Sequence, residues 1–220
     1  MEASFWQQRW DSGQIGFHEG RPNDLLVKYV DRLGTPDGAR ALVPLCGKAE
    51  DVAFLAARGF TVTGVELVTQ AVAQFFAEHP QLGAPESVAA FGAPATRAGN
   101  VTIASGDVLT LEAPAAFDAV YDRAALVALA PTTREAYVAM LTKSMRPGAH
   151  MLLVTFVYDQ TKLDGPPFSL TNDHVTALFS AGFGIEKLEE RDCPPGIGPK
   201  FEAAGIALRE AVYLLERRAS

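Results

Sequence analysis

The chain has 220 residues, of which 48% are hydrophobic and 20% are charged, and its formal net charge is −7. This composition predicts one globular domain over residues 1–220, and the absence of a basic run disfavours sequence-independent binding to nucleic acid. No run of about 18 apolar residues exists and the first ten residues lack a signal-peptide core, so we expect a cytoplasmic protein that does not cross a membrane.

Aromatic residues are concentrated near the N-terminus. Phe5, Trp6, Trp10 and Phe17 precede the first predicted strand, and a helical run follows from Leu25 to Leu33. An apolar load of this size in a terminal segment must cover something. Either the aromatic rings anchor the terminus to the core, or the segment is a lid over one edge of the sheet.

The most informative stretch runs from Arg40 to Leu67. An apolar strand over Ala41–Leu45 leads into a loop at Gly47, and a second strand over Phe60–Val65 ends in Glu66, 19 residues after Gly47. Apolar residues between the two strands recur at helical spacing. The stretch therefore predicts a complete strand, turn, helix and strand unit.

The spacing of Glu66 is typical of the carboxylate that binds ribose hydroxyls in nucleotide-type units. Only Gly47 is present where a dinucleotide fingerprint would show three glycines, which disfavours a pyrophosphate ligand and a dinucleotide oxidoreductase. A cofactor with ribose but no phosphates is favoured, and S-adenosylmethionine (SAM) fits that description. The alternative is an ordinary unit in which Glu66 only caps a helix.

The next elements are less regular. Gln70–Glu78 has the pattern of a short amphipathic helix, and Pro80–Gly99 is rich in Ala, Gly and Pro, so we expect a loop with at most a helical turn there. Val101–Ala104 is predicted to be the third strand. Asp107 follows it, either at the place where such folds bind the adenine amino group or as a turn residue.

A fourth strand is predicted over Phe117–Tyr121, and the residues from Asp122 to Leu129 are predicted to be a loop entering a helix. Asp122 and Arg123 fall at the carboxyl ends of the strands, where ligands of open α/β sheets bind. Arg123 is a candidate clamp for a carboxylate. The alternative is a surface ion pair between these two neighbours.

The C-terminal half completes the predicted sheet. We expect a helix over Thr132–Met145, a central strand over His150–Tyr158, a helix over Asn172–Ala181, and last strands over Ile185–Asp192 and Glu210–Glu216. The sum is an α/β, Rossmann-like, seven-stranded and mostly parallel sheet with helices on both faces and an antiparallel edge strand. This architecture is expected of class I SAM-dependent methyltransferases.

Several sequence strings together resemble the thiopurine S-methyltransferase family, particularly its shorter bacterial members. The most specific are PLCGK at Pro44–Lys48 and YDRAALVAL at Tyr121–Leu129. They occur in register with other matching pieces, which are Phe5-Trp6, Arg9-Trp10, Ile15–His18, Gly64–Leu67, Phe75–Glu78 and Asp164–Phe168. The resemblance implies transfer of the SAM methyl group to sulfur, with residues 1–35 as an N-terminal helical lid on a core of residues 36–220.

The resemblance also implies positions for the cofactor. Trp10 would pack against the methionine end of SAM, Leu45 would line the site at the first turn, and Glu66 would bind the ribose hydroxyls. Asp107 and Val108 would flank the adenine.

For the acceptor, the resemblance implies that Arg123 lies between cofactor and substrate, that Phe17 stacks on the substrate, and that Lys200 is a basic residue near it. No residue is expected to act as a covalent or general-base catalyst, and Arg123 would help electrostatically. Cys46 is interpreted as a small buried side chain and not as a nucleophile.

Other functions stay open from sequence. The acceptor could be selenite, tellurite or another small soft anion in place of an aromatic thiol, or the chain could be a SAM-binding sensor without catalysis. Two cysteines and four histidines without ligand-like spacing lead us to expect no metal. A monomer involved in detoxification, with only small-molecule partners, is the expected biological form.

Overall fold

A nine-stranded sheet organises the described part of the chain, which in this computed structural model comprises residues 3–16, 18–34, 37–194 and 196–219. Its strand order is β3-β4-β5-β2-β1-β6-β7-β9-β8. The strands are β1 (Arg40–Pro44), β2 (Thr61–Glu66), β3 (Glu86–Ala90), β4 (Ala93–Ala98), β5 (Val101–Ser105), β6 (Phe117–Arg123), β7 (Met145–Val157), β8 (Phe183–Asp192) and β9 (Arg209–Arg217). The α-helices are α1 (Ala3–Asp11), α2 (Asp24–Tyr29), α3 (Glu50–Ala57), α4 (Thr69–Glu78), α5 (Arg134–Ser144), α6 (Asn172–Phe179) and α7 (Pro199–Ala203).

The centre of the sheet is parallel, as predicted. β5, β2, β1, β6 and β7 pair in parallel, while antiparallel pairs lie toward both edges. Successive residues of β1 belong to different core clusters: Leu42 packs in one, and Ala41 and Val43 in the other. Because side chains alternate across a strand, β1 is buried on both faces, which explains its continuous apolar sequence.

The strand count corrects the prediction of seven, and the two additional strands lie where a loop was expected. Within Pro80–Gly99, β3 and β4 form an antiparallel hairpin, and β4 pairs antiparallel with β5 from Ala95↔Ala104 to Ala98↔Val101. The hairpin is rich in alanine, which has little intrinsic preference for strands. Pairing to the edge of β5 therefore determines its conformation, and local sequence could not reveal it.

The helix expected to follow Arg123 is also shorter than predicted. Only one 3₁₀ turn forms over Leu126–Ala128, a second begins at Pro131, and α5 starts at Arg134. Proline at position 131 cannot donate the backbone hydrogen bond that would continue a helix through this region. The chain beyond β6 consequently stays irregular before α5.

Strand β8 forms one edge of the sheet and is rich in charged side chains. A register shift interrupts its pairing with β9 between Lys187 and Glu189. Ion pairs connect this strand to the N-terminal segment: the Nζ of Lys28 lies 2.5 Å from Glu189, and a guanidinium nitrogen of Arg32 lies 2.7 Å from Glu186. None of the helices among the described residues has the length and hydrophobicity that a membrane span requires.

Candidate active site

A cavity of about 350 Å³ opens at the carboxyl ends of the central parallel strands. Its floor follows the ends of β1, β2 and β6, and helix α1 and the segment around α7 form its other walls. This edge is where open α/β sheets bind ligands, and the volume is typical of small-molecule sites. The lining residues are Phe5, Trp6, Arg9, Trp10, Gln14, Gly16, Leu45, Gly47, Glu66, Leu67, Arg123, Ala124, Ala128, Phe156, Pro166, Pro167, Ile197, Gly198, Pro199, Lys200, Phe201 and Leu208.

The backbone of the cavity floor adopts an uncommon conformation at two positions. Leu45, after β1, has φ 49°, and Ala124, after β6, has φ 66°. Residues other than glycine rarely occupy this left-handed region, and those that do are concentrated at functional sites. Both turns present their residues to the cavity, and Ala124 gave no sequence signal of this conformation.

The loop after β1 packs tightly on β2. A Cβ built on Gly64 would lie 2.6 Å from the Sγ of Cys46, so a larger residue at position 64 would have to displace this cysteine. Cys46 is buried, and burial raises the pKa of its thiol well above the ordinary value. This environment agrees with the interpretation of Cys46 as a packing residue.

The carboxylate of Glu66 joins two segments of the cavity floor. One oxygen accepts a hydrogen bond from the backbone N–H of Gly47 at 2.8 Å, and the other accepts from Val68 at 2.7 Å. Val68 is the N-cap residue of α4, so Glu66 does support a helix start while also facing the cavity. Burial raises the pKa of Glu66 above the ordinary value. Each oxygen retains a lone pair for a ligand hydroxyl.

Arg123 lies on the cavity wall with its side chain only 9% exposed. It forms an ion pair with Glu19 and not with its neighbour Asp122, so the alternative of a surface pair between Asp122 and Arg123 is wrong. Burial alone disfavours a charged guanidinium, but Tyr121, Glu19 and other acidic neighbours outweigh it and raise the pKa of Arg123. The guanidinium is therefore held as a buried cation.

Glu19 belongs to a buried network that sequence reasoning missed. The amide of Asn23 donates to its carboxylate at 3.4 Å, and the backbone N–H of Asn23 donates to Asp51 at 2.7 Å. The Asn23 side chain also caps α2 by accepting from Leu25. Glu19 lies in an irregular segment 104 residues before Arg123, so neither periodicity nor a local motif could predict this pair.

Asp122 is fully buried, and its hydrogen bonds go to residues other than Arg123. It accepts hydrogen bonds from the hydroxyl of Tyr137 at 2.7 Å and from the backbone N–H of Leu126 at 3.1 Å. Burial nevertheless raises the pKa of Asp122 to about 6. Its role in this structure is to connect the end of β6 to α5.

We expect the Asp122→Asn variant to gain stability relative to the wild type as pH rises. The folded wild type keeps the Asp122 proton up to about pH 6, whereas the unfolded chain loses it near pH 3.8. The contribution of Asp122 to the free energy of unfolding of the wild type therefore decreases as the pH rises from 3.8 to about 6. The free energy of unfolding of the variant minus that of the wild type should rise by at most roughly 3 kcal/mol from pH 4 to 7. Urea unfolding at several pH values measures this difference, and a difference that does not change with pH contradicts the assignment.

The remaining predicted residues are distributed unevenly around the cavity. Trp10 lines it, buried against Val68 and Ala71, and Lys200 lines it from α7. Asp107 caps a 3₁₀ turn by accepting from the backbone N–H of Leu109 at 3.0 Å, and Val108 is buried, but neither belongs to the lining. Phe17 lies outside the described residues. Within the described ranges, no group of three or more His, Cys, Asp or Glu residues could hold a metal ion.

Comparison with known proteins identifies the family of this chain. A family model described as thiopurine S-methyltransferase (TPMT) matches residues 1–218. The chain belongs to the thiopurine S-methyltransferase family. Relatives named thiopurine S-methyltransferase from Pseudomonas aeruginosa (strain UCBPP-PA14) and Pseudomonas entomophila (strain L48) are 43% and 45% identical, each over 99% of this chain and 100% of its own length. The resemblance found in the sequence is confirmed, and with it the class of SAM-dependent enzymes.

Solved structures of lower identity share the fold of this thiopurine S-methyltransferase family member. The 1,6-didemethyltoxoflavin-N1-methyltransferase of Burkholderia thailandensis, with S-adenosylhomocysteine bound, has a TM-score of 0.71 at 19% identity and covers 99% of this chain and 87% of its own. An arsenic(III) SAM methyltransferase from Chlamydomonas reinhardtii has a TM-score of 0.63 at 17% identity, covering 84% of this chain and 66% of its own. At these identities the likeness shows the methyltransferase fold alone.

Proposed function

We propose that this chain transfers the methyl group of SAM to the sulfur of thiopurines and related aromatic or heterocyclic thiols, leaving S-adenosylhomocysteine. One observation carries the proposal: a single cavity contains a buried carboxylate at the end of β2 and an aromatic wall formed by Phe5, Trp6 and Phe201. The carboxylate suits a ribose, and the wall suits a flat apolar acceptor. The family membership of the chain indicates the reaction that this combination would serve, which is methyl transfer to sulfur.

The residues of the cavity floor fit SAM. Glu66 has lone pairs left for ribose hydroxyls, and Leu45 and Trp10 line the same cavity. Arg123 supplies a buried cation to the same cavity, and by the family resemblance it would lie between cofactor and acceptor. Asp107 and Val108 remain candidates for the adenine end, although they lie outside the lining described above.

Bound SAM supplies an electrophilic methyl group on a positively charged sulfur, so the protein chiefly has to position the acceptor. Alignment of two reacting groups contributes up to about 7 to 11 kcal/mol as effective molarity. Arg123 favours the thiolate form of the acceptor by its positive charge, Lys200 lies near the acceptor, and Phe17 would stack on the acceptor ring. Helix α1 excludes water from one side of the cavity.

A small oxyanion such as selenite or tellurite is the alternative acceptor. Such an anion would need few apolar contacts, whereas the cavity wall away from Glu66 is dominated by aromatic, proline and aliphatic side chains. This lining supports an aromatic acceptor over a metalloid. We infer further that the enzyme works as a cytoplasmic monomer in detoxification, with residues 1–35 as its lid.

Labelled SAM offered with a panel of thiopurines, benzenethiols, selenite and tellurite tests the proposal. We expect label in the aromatic thiols with kcat/KM well above that for either oxyanion, and much slower transfer by Glu66→Ala at a SAM concentration near the wild-type KM. A higher kcat/KM for the oxyanions would replace the proposed acceptor. Binding of SAM without transfer to any compound would favour a sensor.

A further inference from the structure

The charges that line the cavity differ in sign from those of the whole chain. The net charge of the chain is −7, yet the described residues of the lining include three cations, which are Arg9, Arg123 and Lys200, and one carboxylate, Glu66. Glu66 is engaged by two backbone N–H groups, and Arg123 is paired with Glu19. The two other cations, Arg9 and Lys200, therefore dominate the field over the rest of the cavity.

Arg9 lines the cavity from helix α1. Its guanidinium carbon lies 5.0 Å from the centroid of the Phe5 ring, an arrangement that fixes the charge beside the aromatic wall. The side chain is half-buried. Among the described residues Arg9 forms no ion pair, so its charge is available to a ligand.

Lys200 faces the same space from α7. Its Nζ donates to the carbonyl oxygen of Pro166 at 2.6 Å and to that of Asp164 at 3.4 Å, and it lies 5.1 Å from the centroid of Phe201. An ammonium group has three donors, and the described residues use two of them. The position of Lys200 is thus fixed while one N–H remains for a ligand.

The two cations are near enough to influence each other. Burial, and then the positive charge of Arg9, lower the pKa of Lys200, while Asp164 acts weakly in the opposite direction. Two like charges that line one cavity are unfavourable without an anion between them. A ligand anion placed there would relieve this repulsion and gain a charge-assisted hydrogen bond from each side.

We propose that Arg9 and Lys200 form a cationic mouth that selects acceptors carrying a second anionic group, such as a carboxylate, sulfonate or phosphate, on the ring away from the sulfur. This inference rests on the proposed function, because it names the acceptor class of the same cavity. The aromatic wall binds the ring, and the mouth binds the distal anion. A thiol that lacks the second charge would enter the same site without this contribution.

The test compares 4-mercaptobenzoate with 4-nitrobenzenethiol, because a nitro group has nearly the shape of a carboxylate but no net charge. The measured quantity is the ratio of kcat/KM for the charged acceptor to kcat/KM for the neutral one, normalised to the wild type, which cancels differences in intrinsic thiol reactivity. We expect Arg9→Gln and Lys200→Gln each to lower this ratio about tenfold, as loss of a charge-assisted hydrogen bond predicts. Arg9→Lys should restore most of it, and added salt should lower the wild-type ratio.

Arg97→Gln is the matched control, since Arg97 is an exposed cation on β4 that pairs with Glu86 away from the cavity. Its ratio should equal that of the wild type. Equal losses for both acceptors in the Arg9 and Lys200 variants, or no loss for either, would overturn the cationic mouth while leaving thiol methylation intact. If the wild type methylates neither thiol, the proposed function fails, and the mouth with it.

Discussion

Replacing Glu66 by alanine is expected to weaken the binding of S-adenosylhomocysteine by roughly 2 to 4 kcal/mol, which is about 30- to 1,000-fold in Kd. The substitution removes a buried acceptor that the proposed function assigns to both ribose hydroxyls. It also releases the backbone N–H groups of Gly47 and Val68, which the carboxylate now holds at 2.8 and 2.7 Å. Isothermal titration calorimetry on the wild type and the variant measures the change.

Two further measurements distinguish the loss of contacts to the ligand from a change in the structure of the cavity floor. Thermal unfolding of the unliganded variant reports whether the loop after β1 and the start of α4 stay folded. Glu86→Ala provides the control, because Glu86 is an exposed carboxylate on β3 whose partner is Arg97. An unchanged Kd in a folded Glu66→Ala protein would remove Glu66 from the cofactor site.

Replacing Arg123 by glutamine is expected to lower the free energy of unfolding by about 3 to 5 kcal/mol. The guanidinium compensates Glu19 directly and lies close to Asp51 and Glu210, and all of these groups are buried or nearly so. Without it, their negative charges face one another in a region of low dielectric constant. Urea unfolding at neutral pH gives the difference.

The double variant Arg123→Gln with Glu19→Gln tests whether the loss of stability comes from the ion pair between these two residues. Removing both charges should cost clearly less than the sum of the two single substitutions, with a coupling above 1 kcal/mol. The exposed pair of Arg32 and Glu186 serves as the comparison, and its coupling should stay below about 1 kcal/mol. Strict additivity at Arg123 and Glu19 would show that the ion pair does not organise this wall of the cavity.

The parallel centre of the sheet was predictable because burial on both faces leaves a strong sequence signal. β1 and the second half of β7 appear in the sequence as apolar runs of strand length, and β2 and β6 as short segments rich in β-branched or aromatic residues. The hairpin of β3 and β4 left no such signal, because its alanines acquire their conformation from pairing with β5 and not from their own preference. The short turn after β6 was misjudged because apolar residues at helical spacing conceal the effect of Pro131.

A site residue could be predicted from the sequence when a strand, loop or helix of regular geometry fixes its position. Glu66 stands at a fixed interval from Gly47, so strand and loop geometry alone places both at the cavity. The predicted end of β6 placed Arg123 at the same edge of the sheet, but the sequence did not reveal Glu19 as its partner. Glu19 and Asn23 lie in irregular chain, and their contacts with distant residues arise only when the fold brings these segments together.

The charged edge strand β8 has a consequence for contacts between molecules. A strand at the end of a sheet leaves a row of backbone donors and acceptors with no partner, and a second molecule can add a strand there and begin a fibre. Here the shift of register between Lys187 and Glu189 breaks the regularity of that row, and the ion pairs to Lys28 and Arg32 hold helical chain beside the strand. Crowded copies of this protein should therefore resist amyloid-like stacking through this side.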